Sequence, residues 1–237
     1  MDREGRLAKL LADPFPPYQY AHGAEVAGLD YEIVRSAFRS EGFEVDVALR
    51  PWTDCMRRVE DGRADGAFQT AKTPERERRF LFSDLLRTAT TALYCHADRT
   101  IALQSNALGA QLREYATAVV EGYSYGPEFD GLPDLRKVVV GSNGESLLAL
   151  SAHDADLAIL DDGVAVHLIK ELRLDGVQRV AGFQIQRALF VAFRRSRADL
   201  VASFNSGLTT IRHDGEYDRL LASYDMSPAR DWAEPSS

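Results

Sequence analysis

The tightest constraint on this chain is a strand that passes into a helix within a few residues. Gly66-Ala67-Phe68-Gln69 is a short apolar run that follows the turn signal Asp61-Gly62, and it reads as a buried strand. Thr73-Pro74-Glu75 reads as a helix start, with Thr73 as N-cap, Pro74 at the first helical position and an acid in the first turn. Arg76 therefore falls one turn into a helix that begins where a strand ends. Unpaired N–H groups at a helix start carry partial positive charge, and a guanidinium grips a carboxylate through two parallel hydrogen bonds. This corner suits a small anion. The plain alternative is a surface arginine within Glu75-Arg76-Glu77-Arg78-Arg79, where exposed ion pairs are worth little.

The same alternation runs along the chain. Leu7 to Ala12 reads as a first strand, ended by Asp13-Pro14-Phe15-Pro16-Pro17-Tyr18, because the prolines forbid a helix there. Phe15 is either a core aromatic or a pocket wall. Gly28 opens a helix with Tyr31, Val34 and Phe38 on its apolar face, and Gly42 ends it. Val45, Val47 and Leu49 alternate with polar or small residues as a second strand. Pro51-Trp52-Thr53-Asp54 follows, with Thr53 a candidate N-cap for the helix through Met56 and Val59. Further on, Thr88 to Tyr94 is extended and uncharged, a helix spans about 108 to 115, and Thr117 to Val120 is a strand. The loop Glu121-Gly122-Tyr123-Ser124-Tyr125-Gly126 comes next; glycine loops after strands can turn N–H groups toward an anion.

Val138 to Val140 forms another strand, and Ser142-Asn143-Gly144 introduces a helix from Glu145 to Ala152. Leu157-Ala158-Ile159-Leu160 is continuously apolar, as expected of a parallel strand covered on both faces. Asp161 emerges at its C-terminal end, where ligands bind in open α/β sheets. Helix capping is the other role open to Asp161 or Asp162. Ile185 to Phe193 reads as extended, and two helices close the chain: one bearing Leu200, Phe204, Leu208 and Ile211, the other Tyr217, Leu220, Leu221 and Tyr224. Strands alternating with helices throughout imply an α/β class with mostly parallel sheets. The Ser227–Ser237 tail, with two prolines, is expected to be ordered only where Trp232 finds a surface.

Charge and composition exclude several function classes. The 237 residues carry a formal net charge of -8, and no basic stripe matches a phosphate backbone, so nucleic acid is not an expected partner. No apolar run approaches the ~20 residues that span a bilayer. The start, Met1-Asp2-Arg3-Glu4-Gly5-Arg6, lacks the apolar core of a signal peptide. Cys55 and Cys95 are the only cysteines. They fall on a helix and a distant strand end, so two free, buried thiols are expected and no metal site. The five histidines are scattered, and no Ser-His-Asp or metal constellation suggests catalysis. No cofactor is expected.

Five segments together resemble the family 3 solute-binding proteins, the extracytoplasmic receptors for polar amino acids that serve ABC importers. They are Phe15-Pro16-Pro17-Tyr18; Gly28-Leu29-Asp30-Tyr31-Glu32-Ile33-Val34; Gly62-Arg63-Ala64-Asp65 with Thr73-Pro74-Glu75-Arg76 and Phe80-Leu81-Phe82-Ser83; Asp156 to Asp161; and Asp214-Gly215-Glu216-Tyr217 to Tyr224. They occur in the family's order and cover nearly the whole chain. The resemblance implies that Arg76 holds the α-carboxylate of a ligand and that Phe15 and Trp52 face each other across its side chain. It implies that Ser124, and Tyr125 beside it, complete carboxylate binding from the second lobe. It assigns the ligand's ammonium to Asp161 and leaves Asp162 the capping role. Between Asp65 and Thr73 the chain is one residue shorter than the family spacing. One alignment makes Thr70 a hydroxyl contact; the other puts Ala71 in that place, without a side-chain hydrogen bond.

The fold implied is a two-lobed periplasmic-binding-protein type II architecture, each lobe a mostly parallel sheet flanked by helices. Residues 1–89 and 188–237 would form one lobe and 90–187 the other, joined by two hinge crossings. The function implied is capture of a small polar ligand, an amino acid or related carboxylate, in the interlobe cleft for an ABC transporter permease. The protein would be a periplasmic monomer, with Met1 standing where a leader has been removed. Two rivals share this fold: a dehydratase of the cyclohexadienyl type, and the ligand-sensing module of a signalling receptor.

Overall fold

The computed structural model describes residues 6–104 and 108–224; the expectation for the Ser227–Ser237 tail lies outside them. In chain order the strands are β1 (Arg6–Ala12), β2 (Tyr20–His22), β3 (Glu25–Ala27), β4 (Phe43–Leu49), β5 (Gly66–Ala71), β6 (Phe80–Phe82), β7 (Arg87–His96), β8 (Ala116–Val120), β9 (Arg136–Val140), β10 (Leu157–Asp161) and β11 (Val177–Arg194). The helices are α1 (Leu29–Ser40), α2 (Trp52–Glu60), α3 (Pro74–Arg79), α4 (Leu108–Leu112), α5 (Pro127–Asp130), α6 (Asn143–Ser151), α7 (Asp162–Glu171), α8 (Ala198–His213) and α9 (Glu216–Ser223). Helix α2 begins at Trp52 behind Pro51, so Thr53 lies inside it and does not cap it. Helix α4 stops at Leu112, before the expected 115.

Among the described residues the strands form one nine-stranded sheet in the order β4-β1-β5-β11-β7-β10-β8-β9, with β6 also on β11, plus the β2–β3 hairpin. The sheet is parallel at its two wings (β4-β1-β5 and β10-β8-β9) and antiparallel at its middle, where β11 meets β5 and β7. The two crossings are themselves strands and pair with each other, Arg87 opposite Leu189 at one end and His96 opposite Val177 at the other. That pairing satisfies backbone groups that hinge loops would leave to water, and it fuses the two expected half-sheets into one. At 18 residues, β11 reaches about 60 Å, enough to serve both wings.

Among the described residues, side-chain alternation divides the interior into four clusters, one on each face of each wing. In β1, Leu10 enters a core with Ile33, Val34, Phe38, Phe193, Phe204 and Leu208, while neighbouring Leu11 joins Trp52, Cys55, Val59 and Phe80 on the opposite face. In β10, Leu157 and Ile159 pack with Leu93 and Phe129, and Ala158 and Leu160 with Tyr94, Leu147 and Leu150. This is the period of two expected of strands buried on both faces. Helices α1 and α8 lie so close that a Cβ at Gly207 would stand 1.9 Å from the Ala37 carbonyl oxygen. Cys55 and Cys95 are both buried and free.

One charged pair is sealed beneath the sheet's middle. Arg87 Nε donates to Asp30 Oδ1 at 2.6 Å, with the side chains 4% and 0% exposed, and the guanidinium lies 3.6 Å from the centre of the Tyr18 ring. Burial works against the guanidinium charge, but Asp30 beside it holds its pKa above the ordinary arginine value.

Candidate functional site

The C-terminal ends of parallel strands converge on one cavity. Asp13 and Phe15 follow β1, Trp52 opens α2 after β4, Gln69 and Ala71 lie on β5, and Arg76 rises from α3. From the other wing come Tyr123 and Ser124, on the loop after β8, and from the crossing strand β11 come Arg187 and Leu189. Strand ends in open α/β sheets are where ligands bind. The space left is about 30 Å³, room for about two water molecules.

Thr73 caps α3 as its sequence suggested: the Arg76 N–H donates to Thr73 Oγ1 at 3.2 Å. The Arg76 guanidinium spans the cleft. Nη1 donates to the Ala71 carbonyl at 3.0 Å, and Nη2 donates to the Gly122 carbonyl of the opposite wing, also at 3.0 Å. Its carbon lies 5.3 Å from the Trp52 ring centre, so the aromatic face that could attract a ligand cation is occupied by the chain's own. Burial lowers the pKa of Arg76 from its ordinary value.

Tyr123 enters the cavity from the opposite wing. Its ring contacts Phe15 (centroids 6.2 Å apart) and Trp52 (6.4 Å, edge-on), and its hydroxyl donates to the Asp13 carboxylate. Gly122 beside it has φ +74, and a Cβ there would stand 2.9 Å from Thr53 Cγ2, so any larger residue would strain the loop and push on α2 where the two meet. Burial pushes Asp13 up to about 6, with the Tyr123 hydrogen bond drawing it partly back. The second guanidinium, Arg187, donates from Nε to Thr91 Oγ1 at 2.6 Å and from Nη1 to the Ser124 carbonyl at 2.7 Å.

Of the seven residues singled out from the sequence, Phe15, Trp52, Arg76 and Ser124 line this cavity. Three do not. Thr70 is fully buried and donates to the Ala67 carbonyl at 3.1 Å. A bulge in the β5–β11 pairing, with Gln69 at φ 60, resets the alternation so that Gln69 and Ala71 face the cavity. Tyr125 is buried in the core of its own wing, where its hydroxyl accepts the Val120 N–H at 2.7 Å. Asp161 is 2% exposed and is itself the N-cap of α7, accepting the N–H groups of Gly163 and Val164 at 3.0 and 3.3 Å. Asp162, to which capping was assigned, instead accepts hydrogen bonds from the Tyr94 hydroxyl and Arg179.

The glycine loop also differs from expectation. The N–H groups of Tyr125 and Gly126 donate to the Asp130 carboxylate, as does the Ser124 hydroxyl, so these donors are taken up within the loop. The sequence reading passed over Asp13, Gln69, Tyr123, Arg187 and Leu189. Asp13 was visible as an acid at a strand end and Arg187 as a cation in an otherwise apolar crossing; nothing local separated Tyr123 from Tyr125. Away from the cleft, His96, Asp98 and His153 are the one group of potential metal ligands found among the described residues with ligating atoms within 4.8 Å of each other.

The profile of the bacterial extracellular solute-binding proteins, family 3, matches residues 9–226. The arginine-binding extracellular protein ArtP of Bacillus subtilis (strain 168) is 24% identical over 217 residues, covering 87% of this chain and 80% of that protein. Among solved structures, a histidine kinase sensor domain with similarity to periplasmic binding proteins superposes with a TM-score of 0.84 at 22% identity, covering 96% of this chain and all of the other. The amino acid ABC transporter substrate-binding protein AbpA from Streptococcus pneumoniae, bound to L-arginine, superposes at 0.78 with 20% identity, covering 92% and 94% of the two chains.

Proposed function

The chain belongs to the bacterial extracellular solute-binding proteins, family 3, and from that membership we propose that it captures a small carboxylate-bearing solute, an amino acid or a related acid, between its two wings for an ABC importer. The observation that carries this reading is Arg76, a guanidinium at the cavity wall that already bridges the wings through the Ala71 and Gly122 carbonyls. A ligand carboxylate is a stronger acceptor than either carbonyl. Exchanging one for the other would couple binding to the relation between the wings, so that the ligand favours the closed form. Micromolar affinity needs about -8 kcal/mol, within reach of ~10 heavy atoms at a ceiling near -1.5 kcal/mol each.

Residues 1–89 with 188–237, and 90–187, are the two bodies that would close on the ligand. The protein would work in the periplasm, as a monomer that docks on a permease, and without catalysing a reaction. Isothermal calorimetry tests the core of this. Arg76→Ala is expected to weaken ligand binding at least tenfold, and an unchanged affinity removes the site. Turnover of prephenate or arogenate would instead favour the dehydratase reading. The likeness to a kinase sensor domain supports capture for signalling as a second reading. A membrane-spanning helix and a signalling domain encoded in the same gene would favour it over transport.

A further inference from the structure

Two half-buried guanidiniums, Arg76 and Arg187, line the same cavity, and neither makes an ion pair within 4 Å among the described residues. Their partners are neutral: three carbonyl oxygens and the Thr91 hydroxyl. This sets them apart from Arg87, which has Asp30. Asp130 acts on both guanidiniums and Asp161 on Arg187, but only at a distance, and burial still outweighs them and lowers both pKa values. A charge removed from water without a paired counter-charge is costly, so both cations favour an anion in the space between them. Gln69 lines the same cavity, and its buried amide nitrogen has no hydrogen-bond partner among the described residues. That is a further unused donor.

Among the described residues Asp13 is the one carboxylate in the lining, and it is occupied by the Tyr123 hydroxyl. The lining thus carries two positive charges against one negative. L-Arginine, with two cations and one carboxylate, would pair with one guanidinium only, leave the other unpaired, and bring two cations to a single Asp13. A diacid pairs both guanidiniums and brings no cation that needs Asp13. Asp161 redresses the balance only in part: its charge acts on Arg187 without an ion pair within 4 Å, and burial still lowers the pKa of that guanidinium. It is outside the lining, one of its oxygens caps α7, and the other has no hydrogen-bond partner among the described residues.

We infer that the cavity is built for a small dicarboxylate, with one acid group on Arg76 and the second on Arg187, rather than for a basic amino acid. The inference rests on the receptor reading above and narrows its ligand class. Arg187 is then the specificity-determining residue, because it converts a site for one carboxylate into a site for two.

The test is calorimetry on the full chain at neutral pH with succinate, glutarate, L-glutamate and L-arginine. At least one diacid is expected to bind tenfold or more tightly than L-arginine. Arg187→Ala is expected to cost that diacid at least tenfold and to narrow or reverse its advantage over L-arginine, a change of preference that a misfolded variant cannot produce. Arg187→Lys, which keeps the charge, is expected to retain diacid binding to within tenfold. Tighter binding of L-arginine than of every diacid overturns the inference and leaves the receptor reading standing. Absence of saturable heat with all four compounds overturns both.

Discussion

At the scale of single residues, Asp13 and Tyr123 decide how the cavity is filled, and their contact is sensitive to pH. Asp13 is raised to about 6 by burial, against which the Tyr123 hydrogen bond works; Cys55 lies within its field and is pushed up in turn, to about 12, chiefly by burial. An acid with a higher pKa in the folded molecule than in the unfolded chain holds its proton more tightly when folded. Its contribution is therefore most favourable below about pH 4, and it is lost as pH rises through about 6. Asp13→Asn keeps a hydrogen-bond acceptor for Tyr123 and removes the charge. The variant is expected to be more stable than the parent at pH 7.5, by at most about 3 kcal/mol, and to lose that advantage at pH 4. Thermal melts of both proteins across this range check it; a pH-independent difference would contradict the assignment.

Arg76 shows how far one side chain could be read in advance. Thr73, Pro74 and Glu75 announced its helix start from chemistry that lies within three residues, and the cap formed as read. Thr70 shows the opposite. Which face a strand residue takes depends on every residue before it keeping register, and the bulge at Gln69 shifts that count by one. A one-residue shift exchanges the two faces of a strand, which moved Thr70 inward and brought Ala71 to the cavity.

At the scale of elements, the start of α7 separates two adjacent acids that the sequence presents alike. Asp161 receives the first free N–H groups of the helix, whereas Asp162 pairs laterally with Tyr94 and Arg179. Asp161→Ala is expected to lower stability by about 1 kcal/mol, the ordinary worth of an N-cap. Asp162→Ala, in a partly exposed pair, is expected to cost less than half of that. Urea unfolding of the two variants distinguishes them, and equal losses would contradict the capping assignment. Between α1 and β7, Asp30→Ala leaves the Arg87 charge buried without a partner and is expected to cost about 3–5 kcal/mol in the same measurement.

For the whole molecule, the issue is what holds the wings together. Tyr123 on Asp13 and Arg76 on the Gly122 carbonyl both cross the cleft, and the Tyr123 ring lines the cavity proposed for the ligand. Tyr123→Ala removes the contact with Asp13 and the packing on Phe15 and Trp52. It is expected to raise the affinity for a small carboxylate at least threefold, because the ligand no longer displaces the ring. Small-angle scattering of the unliganded variant is expected to show a larger radius of gyration than the parent. A weaker affinity with unchanged dimensions would show that the tyrosine is a ligand contact and not an occupant of the ligand's place.

Much of this architecture follows from local chemistry: the period-two apolar strands, the helix starts and stops, the free cysteines and the capped helix start that carries Arg76. Each depends on neighbours within about a turn or a strand, and these are written consecutively in the chain. The identity of the cavity lining depends on strand register, on a bulge and on the docking of a loop from the opposite wing. Arg187 is 111 positions from Arg76 in sequence, and only the pairing of β11 between β5 and β7 brings the two charges to one space. The joint effect proposed for them on a ligand is electrostatic, and such an effect depends on distance in the folded molecule rather than along the chain.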